Sequence, residues 1–126
     1  MTSQLNKKRT ALVIDDDPDI RELLQALLES AGFEVDTMQD GIEAVTLKKP
    51  YNVILLDVRM PVFDGRRLTD YWHLTAPELL TRVIMLTGYS RGNAGPTLPT
   101  YATVMKPFEL QKLLRVVEAC AAQTSV

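Results

Sequence analysis

The sequence predicts an α/β domain built on a doubly wound, five-stranded parallel sheet. Short apolar segments alternate along the chain with amphipathic segments of helical period. Several of the apolar segments are nearly continuous, which is typical of strands that helices cover on both faces. The chain has 126 residues, of which 46% are hydrophobic, and this suffices for one domain with its own core. The domain is expected to span residues 10–122, between a polar leader at 1–9 and a short tail at 123–126.

Five apolar segments are the predicted strands. They comprise residues 11–14, 33–35, 53–56, 83–86 and 101–105. Because helical segments separate most of them, right-handed crossovers would make the strands parallel. The strand order 2-1-3-4-5 is common in doubly wound sheets and would place the first strand beside the third.

The first predicted helix carries the clearest signals. Its apolar residues recur at helical spacing from Ile20 to Ala31, with Asp17 as the N-cap, Pro18 in the first turn and Gly32 at the C-terminal stop. Three further helices are predicted from apolar positions at the same period. These are a short second helix at Ile42, Val45 and Leu47, a third at Leu68, Tyr71 and Trp72, and a last helix from Leu110 to Cys120.

Residues 90–100 interrupt the pattern where a fourth helix would follow the fourth strand. In a helix, glycine costs about 1 kcal/mol and an interior proline about 3 kcal/mol relative to alanine. We therefore expect this fourth helix to be short, irregular or absent. The residues responsible are Gly92, Gly95, Pro96 and Pro99.

Composition argues against several classes of function. A net charge of -2 and a pI near 5.4 disfavour direct nucleic-acid binding, because phosphate backbones are bound mainly by clustered Lys and Arg. The basic run at residues 7–9 is interpreted as part of the leader. No apolar segment approaches the ~20 residues that a membrane span requires, so no membrane insertion is expected. The lone Cys120 cannot form an internal disulfide, which fits a reducing cytoplasm.

Acidic residues follow two of the predicted strands. Asp15, Asp16 and Asp17 follow the first strand, and Asp57 follows the third. The carboxyl ends of neighbouring parallel strands meet in one crevice, so these carboxylates are expected to gather there. Two unit charges about 4 Å apart repel by roughly 4 kcal/mol at an effective dielectric near 20, so such a cluster needs a proton or a divalent cation. Carboxylate oxygens without a nearby His or Cys suit Mg²⁺, which is often bound together with phosphate groups.

Two more polar residues are predicted at the same edge of the sheet. Thr87 follows the fourth strand and Lys106 follows the fifth. A hydroxyl can donate a hydrogen bond to a phosphoryl oxygen, and an ammonium can pair with one by charge, once Asp57 carries a phosphoryl group. The cluster therefore predicts phosphoryl chemistry.

These motifs together resemble the receiver domain of two-component response regulators. They are Val-Ile-Asp-Asp-Asp-Pro at 13–18, Leu-Asp-Val-Arg-Met-Pro at 56–61 followed by Asp64-Gly65, Leu-Thr-Gly at 86–88, and Lys-Pro-Phe at 106–108. The resemblance covers nearly the whole chain and implies a flavodoxin-like fold. It implies a signalling domain rather than an enzyme, one that supports its own phosphorylation and dephosphorylation. The chain is similar in particular to receivers associated with histidine kinases, in which the fourth helix is degraded.

The resemblance also implies which residues carry out the chemistry. Asp57 would be the phosphoacceptor and would take the group from the phosphohistidine of a sensor histidine kinase or a phosphotransfer protein. Thr87 and Lys106 would contact the phosphoryl group and complete the catalytic set. The resemblance suggests a cis peptide bond between Lys106 and Pro107. The kinase and the output partner are not identified by the sequence.

A magnesium site is implied at the same place. Asp16 and Asp57 would bind Mg²⁺ directly, and Asp15 would act largely through a metal-bound water. The backbone carbonyl of Arg59 would supply a further ligand.

The chain departs from the family pattern at Thr103, where many receivers have a Phe or Tyr that reports phosphorylation. Tyr101, which strand alternation would place on the same face, and Tyr89 are the candidates to replace that aromatic residue. The Asp64-Gly65 pair is predicted to form a turn in which the glycine supplies unusual backbone angles.

Two other functions stay open. The chain could be a pseudo-receiver, an interaction module that keeps the fold without using phosphorylation. More remotely, it could be a phosphatase of the haloacid dehalogenase type, in which Asp15 is the nucleophile and Asp17 the second acid.

Overall fold

A five-stranded sheet forms the centre of the computed structural model, which describes residues 8–47, 49–59, 64–88 and 100–123. The strands are β1 (Arg9–Ile14), β2 (Phe33–Met38), β3 (Val53–Asp57), β4 (Val83–Gly88) and β5 (Ala102–Lys106). Their order in the sheet is β2-β1-β3-β4-β5 and every neighbouring pair is parallel. The predicted fold class and strand order are confirmed.

Helices cover both faces of this sheet. They are α1 (Pro18–Ser30), α2 (Gly65–Thr75) and α3 (Leu110–Gln123), with a 3-10 helix at Pro77–Arg82. Ala11 and Val13 of β1 belong to the core layer that α1 and α3 cover, whereas Leu12 and Ile14 belong to the layer that contains Trp72 of α2. Successive side chains of a strand point to opposite faces, so a strand covered on both sides must be apolar at nearly every position.

The start of α1 follows the predicted capping pattern. A carboxylate oxygen of Asp17 accepts hydrogen bonds from the backbone N–H groups of Asp19, at 2.9 Å, and Ile20, at 3.5 Å. Pro18 is in the first turn, where its missing N–H costs no helical bond. After the last turn, Gly32 has φ +94°, a conformation that favours glycine.

Replacing Asp17 with Ala is expected to lower the free energy of unfolding by about 1 kcal/mol, because the first turn loses its side-chain acceptor. Urea unfolding measures this effect. Asp19→Ala is the matched control, because Asp19 is also acidic and exposed in the same turn but does not cap the helix. An equal loss of stability in both variants would contradict the capping role.

The predicted short second helix at Ile42, Val45 and Leu47 is wrong. Residues 41–46 form turns, with the N–H of Ala44 bonded to the carbonyl of Gly41 and the N–H of Val45 to that of Ile42. A helix this short gains little from hydrogen bonds and needs packing to form. Ala44 is buried, but the Ile42 side chain is 55% exposed, so packing does not repay the nucleation cost.

The 3-10 helix at Pro77–Arg82 was not predicted. It begins at a proline and buries Leu80 in the layer that contains Trp72. Its six residues are too few to show a helical period in the sequence. The predicted loss of the fourth helix, at 90–100, falls almost wholly outside the described residues. In the described ranges, no helix combines the length and the apolar character that crossing a bilayer requires.

Candidate functional site

The acidic cluster lies where β1 and β3 end. Ile14 pairs with Leu56 across these neighbouring strands, so the residues that follow them, Asp15 and Asp57, come together. One carboxylate oxygen from each of Asp15, Asp16 and Asp57 lies within 4.8 Å of the others. The structure thus brings together three of the four carboxylates that were predicted to gather in this crevice, whereas the Asp17 carboxylate caps α1.

Asp15 is fully buried and every polar group of it has a partner. Its N–H donates to the carbonyl of Met38 at 3.1 Å, and its own carbonyl accepts from the guanidinium of Arg21 at 2.7 Å. One carboxylate oxygen accepts from the N–H of Asp17 at 2.9 Å, and the other lies 3.5 Å from Nζ of Lys106. A buried carboxylate needs such partners, because an unpaired charge in the interior is very costly. Asp15 is therefore held in one orientation.

Lys106 connects two of the three acids. From the end of β5, its Nζ lies 3.4 Å from Asp57 and 3.5 Å from Asp15. β4 separates β5 from β3, so the four-carbon stem has to pass the end of β4, where Gly88 is the register partner of Lys106. The Lys106–Pro107 peptide bond is cis, as the resemblance suggested. One ammonium thus partly neutralises two buried carboxylates.

Asp57 is only 4% exposed and holds its proton more tightly than an ordinary aspartate. Burial, and after it the charge of Asp15, raise its pKa from the usual 3.8 to a net value of about 6. Lys106 and the backbone N–H of Arg59, which donates to Asp57 at 3.3 Å, oppose these effects. A cation bound at the cluster would therefore relieve a repulsion that Lys106 compensates only in part.

The remaining predicted site residues are near the cluster but do not all contact it. The Thr87 hydroxyl donates to the carbonyl of Gly88 at 3.1 Å, so it would have to leave that bond to reach a group on Asp57. Arg59 contributes its N–H to Asp57, while the role of its carbonyl as a metal ligand stays a prediction. Asp17 caps α1.

Gly65 is needed for a reason other than the turn conformation predicted from the sequence. Its backbone angles are not unusual, since among the described residues Gly32 is the glycine with positive φ. Instead, a Cβ at position 65 would lie 2.7 Å from the carbonyl oxygen of Asp57 and 3.0 Å from Cα of Val58. The N–H of Gly65 donates to the carbonyl of Val58 at 2.9 Å, and Asp64 caps α2 through the N–H of Arg67. α2 therefore starts in direct contact with the end of β3.

Of the two candidates for the missing switch aromatic, Tyr101 is the one that the structure describes. Tyr101 precedes β5 and packs against the core layer of α1 and α3, whereas Thr103 pairs with Met85 of the other layer and is exposed. The prediction that Tyr101 shares a face with Thr103 is therefore wrong, because strand alternation does not extend to a residue in the bend before the strand. Tyr89 lies outside the described residues.

Sequence reasoning did not single out Arg21. This side chain is half-buried, and its guanidinium holds the carbonyl of Asp15 at the turn from β1 into α1. An arginine one helical turn after an acidic N-cap is the signal that could have indicated it, because its side chain lies over the preceding turn.

The donor set fits a hard divalent cation. All three clustered ligands are carboxylates, two of them are buried, and the cluster contains no softer donor. Such sites suit Mg²⁺, which takes few protein ligands and keeps several waters.

Comparison with protein families gives one match over most of the chain. A family model described as the response regulator receiver domain matches residues 11–118. The response regulator MprA of Mycobacterium sp. (strain KMS) is 34% identical over 120 residues, which are 90% of this chain and 51% of that protein. The chain therefore spans about half the length of this relative.

Two solved structures are similar over almost their full length. The receiver domain of the sensor histidine kinase PA1611 from Pseudomonas aeruginosa, solved with magnesium in its active site cleft, is 26% identical, with a TM-score of 0.79 over 92% of this chain and 99% of that one. The response regulator TrrA of Thermotoga maritima, solved in complex with Mg²⁺ and BeF, is 30% identical, with a TM-score of 0.79 over 89% of this chain and 98% of that one.

Proposed function

We propose that this chain, which belongs to the response regulator receiver domain family, accepts a phosphoryl group on Asp57 and so passes on a signal. The observation that carries the proposal is the position of Asp57, buried at the end of β3, with Nζ of Lys106 3.4 Å away and two further carboxylates in the same cluster. The donor would be the phosphohistidine of a sensor histidine kinase or a phosphotransfer protein, acting in the cytoplasm.

The transfer conserves atoms and charge. A carboxylate oxygen of Asp57 attacks phosphorus, the new P–O bond forms as the P–N bond breaks, and the imidazole nitrogen takes the electron pair. Lys106 already neutralises part of the charge at this point and would pair with a phosphoryl oxygen of the product. Mg²⁺, held by Asp15, Asp16, Asp57 and the Arg59 carbonyl, would supply positive charge to stabilise the transferring phosphoryl group.

Phosphorylation would act as a switch through Thr87. Its hydroxyl would exchange the carbonyl of Gly88 for a phosphoryl oxygen, and β4 would adjust to that exchange. A hydrogen bond to a charged group is worth about 1.5 to 3 kcal/mol, and about 1.4 kcal/mol changes a population ratio tenfold. One such bond is therefore enough to change which conformation is the more populated, and so which one is available to an output protein. We propose a protein as the output partner, with neither direct nucleic-acid binding nor membrane insertion.

The geometry supports this function over the two alternatives. A phosphatase of the haloacid dehalogenase type would need Asp17 free as an acid, but its carboxylate caps α1. A pseudo-receiver would have no use for a raised pKa at Asp57 or for an ammonium that reaches it past another strand.

Incubation with acetyl phosphate and Mg²⁺ is expected to add one phosphoryl group to the wild-type chain, seen as a mass increase in intact-protein mass spectrometry. Asp57→Asn is expected to abolish the label, because the nucleophilic oxygen is lost. Asp70→Asn is the matched control, since Asp70 is exposed on α2, and it should label like wild type. No labelling of wild type would favour the pseudo-receiver, and turnover that survives Asp57→Asn would favour the phosphatase.

A further inference from the structure

Among the residues that the structure describes, none is a hydrogen-bond partner of the Asp16 side chain, although this side chain belongs to the cluster. It is exposed, and in the described part of the chain no group donates a hydrogen bond to its carboxylate. Nevertheless, a carboxylate oxygen of Asp16 lies within 4.8 Å of those of Asp15 and Asp57, where like charges repel. The backbone on either side of Asp16 must therefore keep it there.

The two peptide planes that flank Asp16 are each held by a side chain. The plane between residues 15 and 16 is held at its oxygen, because the carbonyl of Asp15 accepts from Nη1 of Arg21 at 2.7 Å. The plane between residues 16 and 17 is held at its nitrogen, because the N–H of Asp17 donates to the Asp15 carboxylate at 2.9 Å. Fixing both planes fixes the φ and ψ of Asp16, and with them the direction of its side chain.

Arg21 is well placed for this task. Its own N–H donates to the carbonyl of Asp17 at 3.0 Å, so one residue of α1 holds the loop on both sides of Asp16. The side chains that hold the two planes are those of Arg21 and Asp15. Asp15 belongs to the acidic cluster, whereas Arg21 lies outside it. Its planar guanidinium is always charged and reaches the carbonyl in a fixed direction, which the flexible ammonium of a lysine does less well.

We propose that Arg21 is a positioning residue that holds the Asp15–Asp16 peptide so that the Asp16 carboxylate faces the cation and the phosphoryl group. This inference rests on the proposed function, because it assigns Arg21 to the same site. Removing a residue that orients a metal ligand without touching the metal itself typically lowers metal affinity by about 10- to 100-fold.

The test compares Arg21→Met, which keeps the apolar stem, with Arg21→Lys, which keeps the charge, and with Arg115→Met, which removes an exposed arginine of α3. Calorimetric titration with MgCl₂ is expected to give a Kd about tenfold higher for Arg21→Met, an intermediate Kd for Arg21→Lys, and a Kd within about twofold of wild type for Arg115→Met. At saturating Mg²⁺, the rate of labelling by acetyl phosphate should be close to wild type, which a general loss of structure would not allow.

A second readout needs no metal. In EDTA, the order parameter of the Asp16 amide is expected to fall from about 0.85, typical of rigid backbone, towards about 0.6, below which backbone is flexible, in Arg21→Met. An Mg²⁺ affinity of Arg21→Met equal to that of wild type, whatever the stability of the variant, would overturn the inference. If Arg21→Met does not fold, an Mg²⁺ affinity of Arg21→Lys equal to that of wild type would overturn it instead. If wild type bound no Mg²⁺, the proposed function would fail, and the Asp16 amide in EDTA would still decide whether Arg21 holds the loop.

Discussion

Replacing Asp57 with Asn is expected to raise the free energy of unfolding by about 1 to 3 kcal/mol near neutral pH in the absence of divalent cations. The reason is that the wild-type protein keeps a charge in a buried place where another carboxylate repels it. The amide has nearly the same shape and carries no charge. Each unit of pKa corresponds to about 1.4 kcal/mol, and the partial loss of pairing with Lys106 reduces the gain.

The direction of this change in the free energy of unfolding follows from the raised pKa of Asp57. Its carboxyl has a pKa of about 6 in the folded protein against 3.8 when unfolded, so the folded state binds the proton more tightly. Below the unfolded value both states are protonated and there is no penalty. As pH rises from about 4 to about 6, the unfolded state ionises first and the wild type loses stability that Asp57→Asn keeps.

Chemical denaturation at several pH values checks this prediction. The difference between Asp57→Asn and wild type should be near zero at about pH 4 and reach a plateau above about pH 6. Mg²⁺ should stabilise wild type, by about 2.7 kcal/mol at a hundredfold excess over Kd, and stabilise Asp57→Asn less. Asp70→Asn removes an exposed carboxylate and should stay within about 0.5 kcal/mol of wild type. A difference that does not depend on pH would contradict the buried charge at Asp57.

Replacing Gly65 with Ala is expected to lower the free energy of unfolding by about 1 to 3 kcal/mol. In a helix, alanine is favoured over glycine by about 1 kcal/mol, so propensity alone predicts the opposite sign. The contact decides the sign, because the new Cβ would be 2.7 Å from the carbonyl oxygen of Asp57 and 3.2 Å from Cγ of Leu56. Backbone atoms of a central strand cannot move aside without disturbing the ladder, so α2 or the end of β3 must shift.

The same shift should reach the chemistry, because the displaced carbonyl belongs to Asp57. We expect slower labelling of Gly65→Ala by acetyl phosphate at a temperature where the variant is folded. Gly88→Ala is the control for stability: a Cβ there would meet nothing within 4 Å, so its free energy of unfolding should change by less than about 0.5 kcal/mol. Equal stability of Gly65→Ala and wild type would show that the start of α2 can move away from β3.

The sequence was most informative where one local rule acts alone. Continuous apolar segments predicted the five strands, and capping residues predicted the start of α1 at Asp17 and its end before Gly32. Acids placed directly after two neighbouring strands predicted the meeting of Asp15 and Asp57, because register in a parallel sheet carries one strand end to the other.

Predictions failed where packing outweighs a local pattern. Ile42 and Val45 have helical spacing, but the segment is short and largely exposed, so turns form instead. Tyr101 was expected to share a face with Thr103, but it packs against the core layer of α1 and α3. Strand alternation does not apply to it, because β5 begins only at Ala102. Gly65 resembled a turn glycine, although the space left by its missing side chain, rather than its backbone angles, is what the fold uses.

The sequence by itself determined the kind of fold and the acids that follow its strands, because these depend on periodicity and on residues adjacent in the chain. The strand order was predicted because it is common among doubly wound sheets. Only the tertiary structure decided the charge balance at Asp57, the reach of Lys106 past β4, the bond from Arg21 to the Asp15 carbonyl and the contact at Gly65. Each of these is a distance or a burial between groups that different elements bring together, and such quantities exist only once the chain has packed.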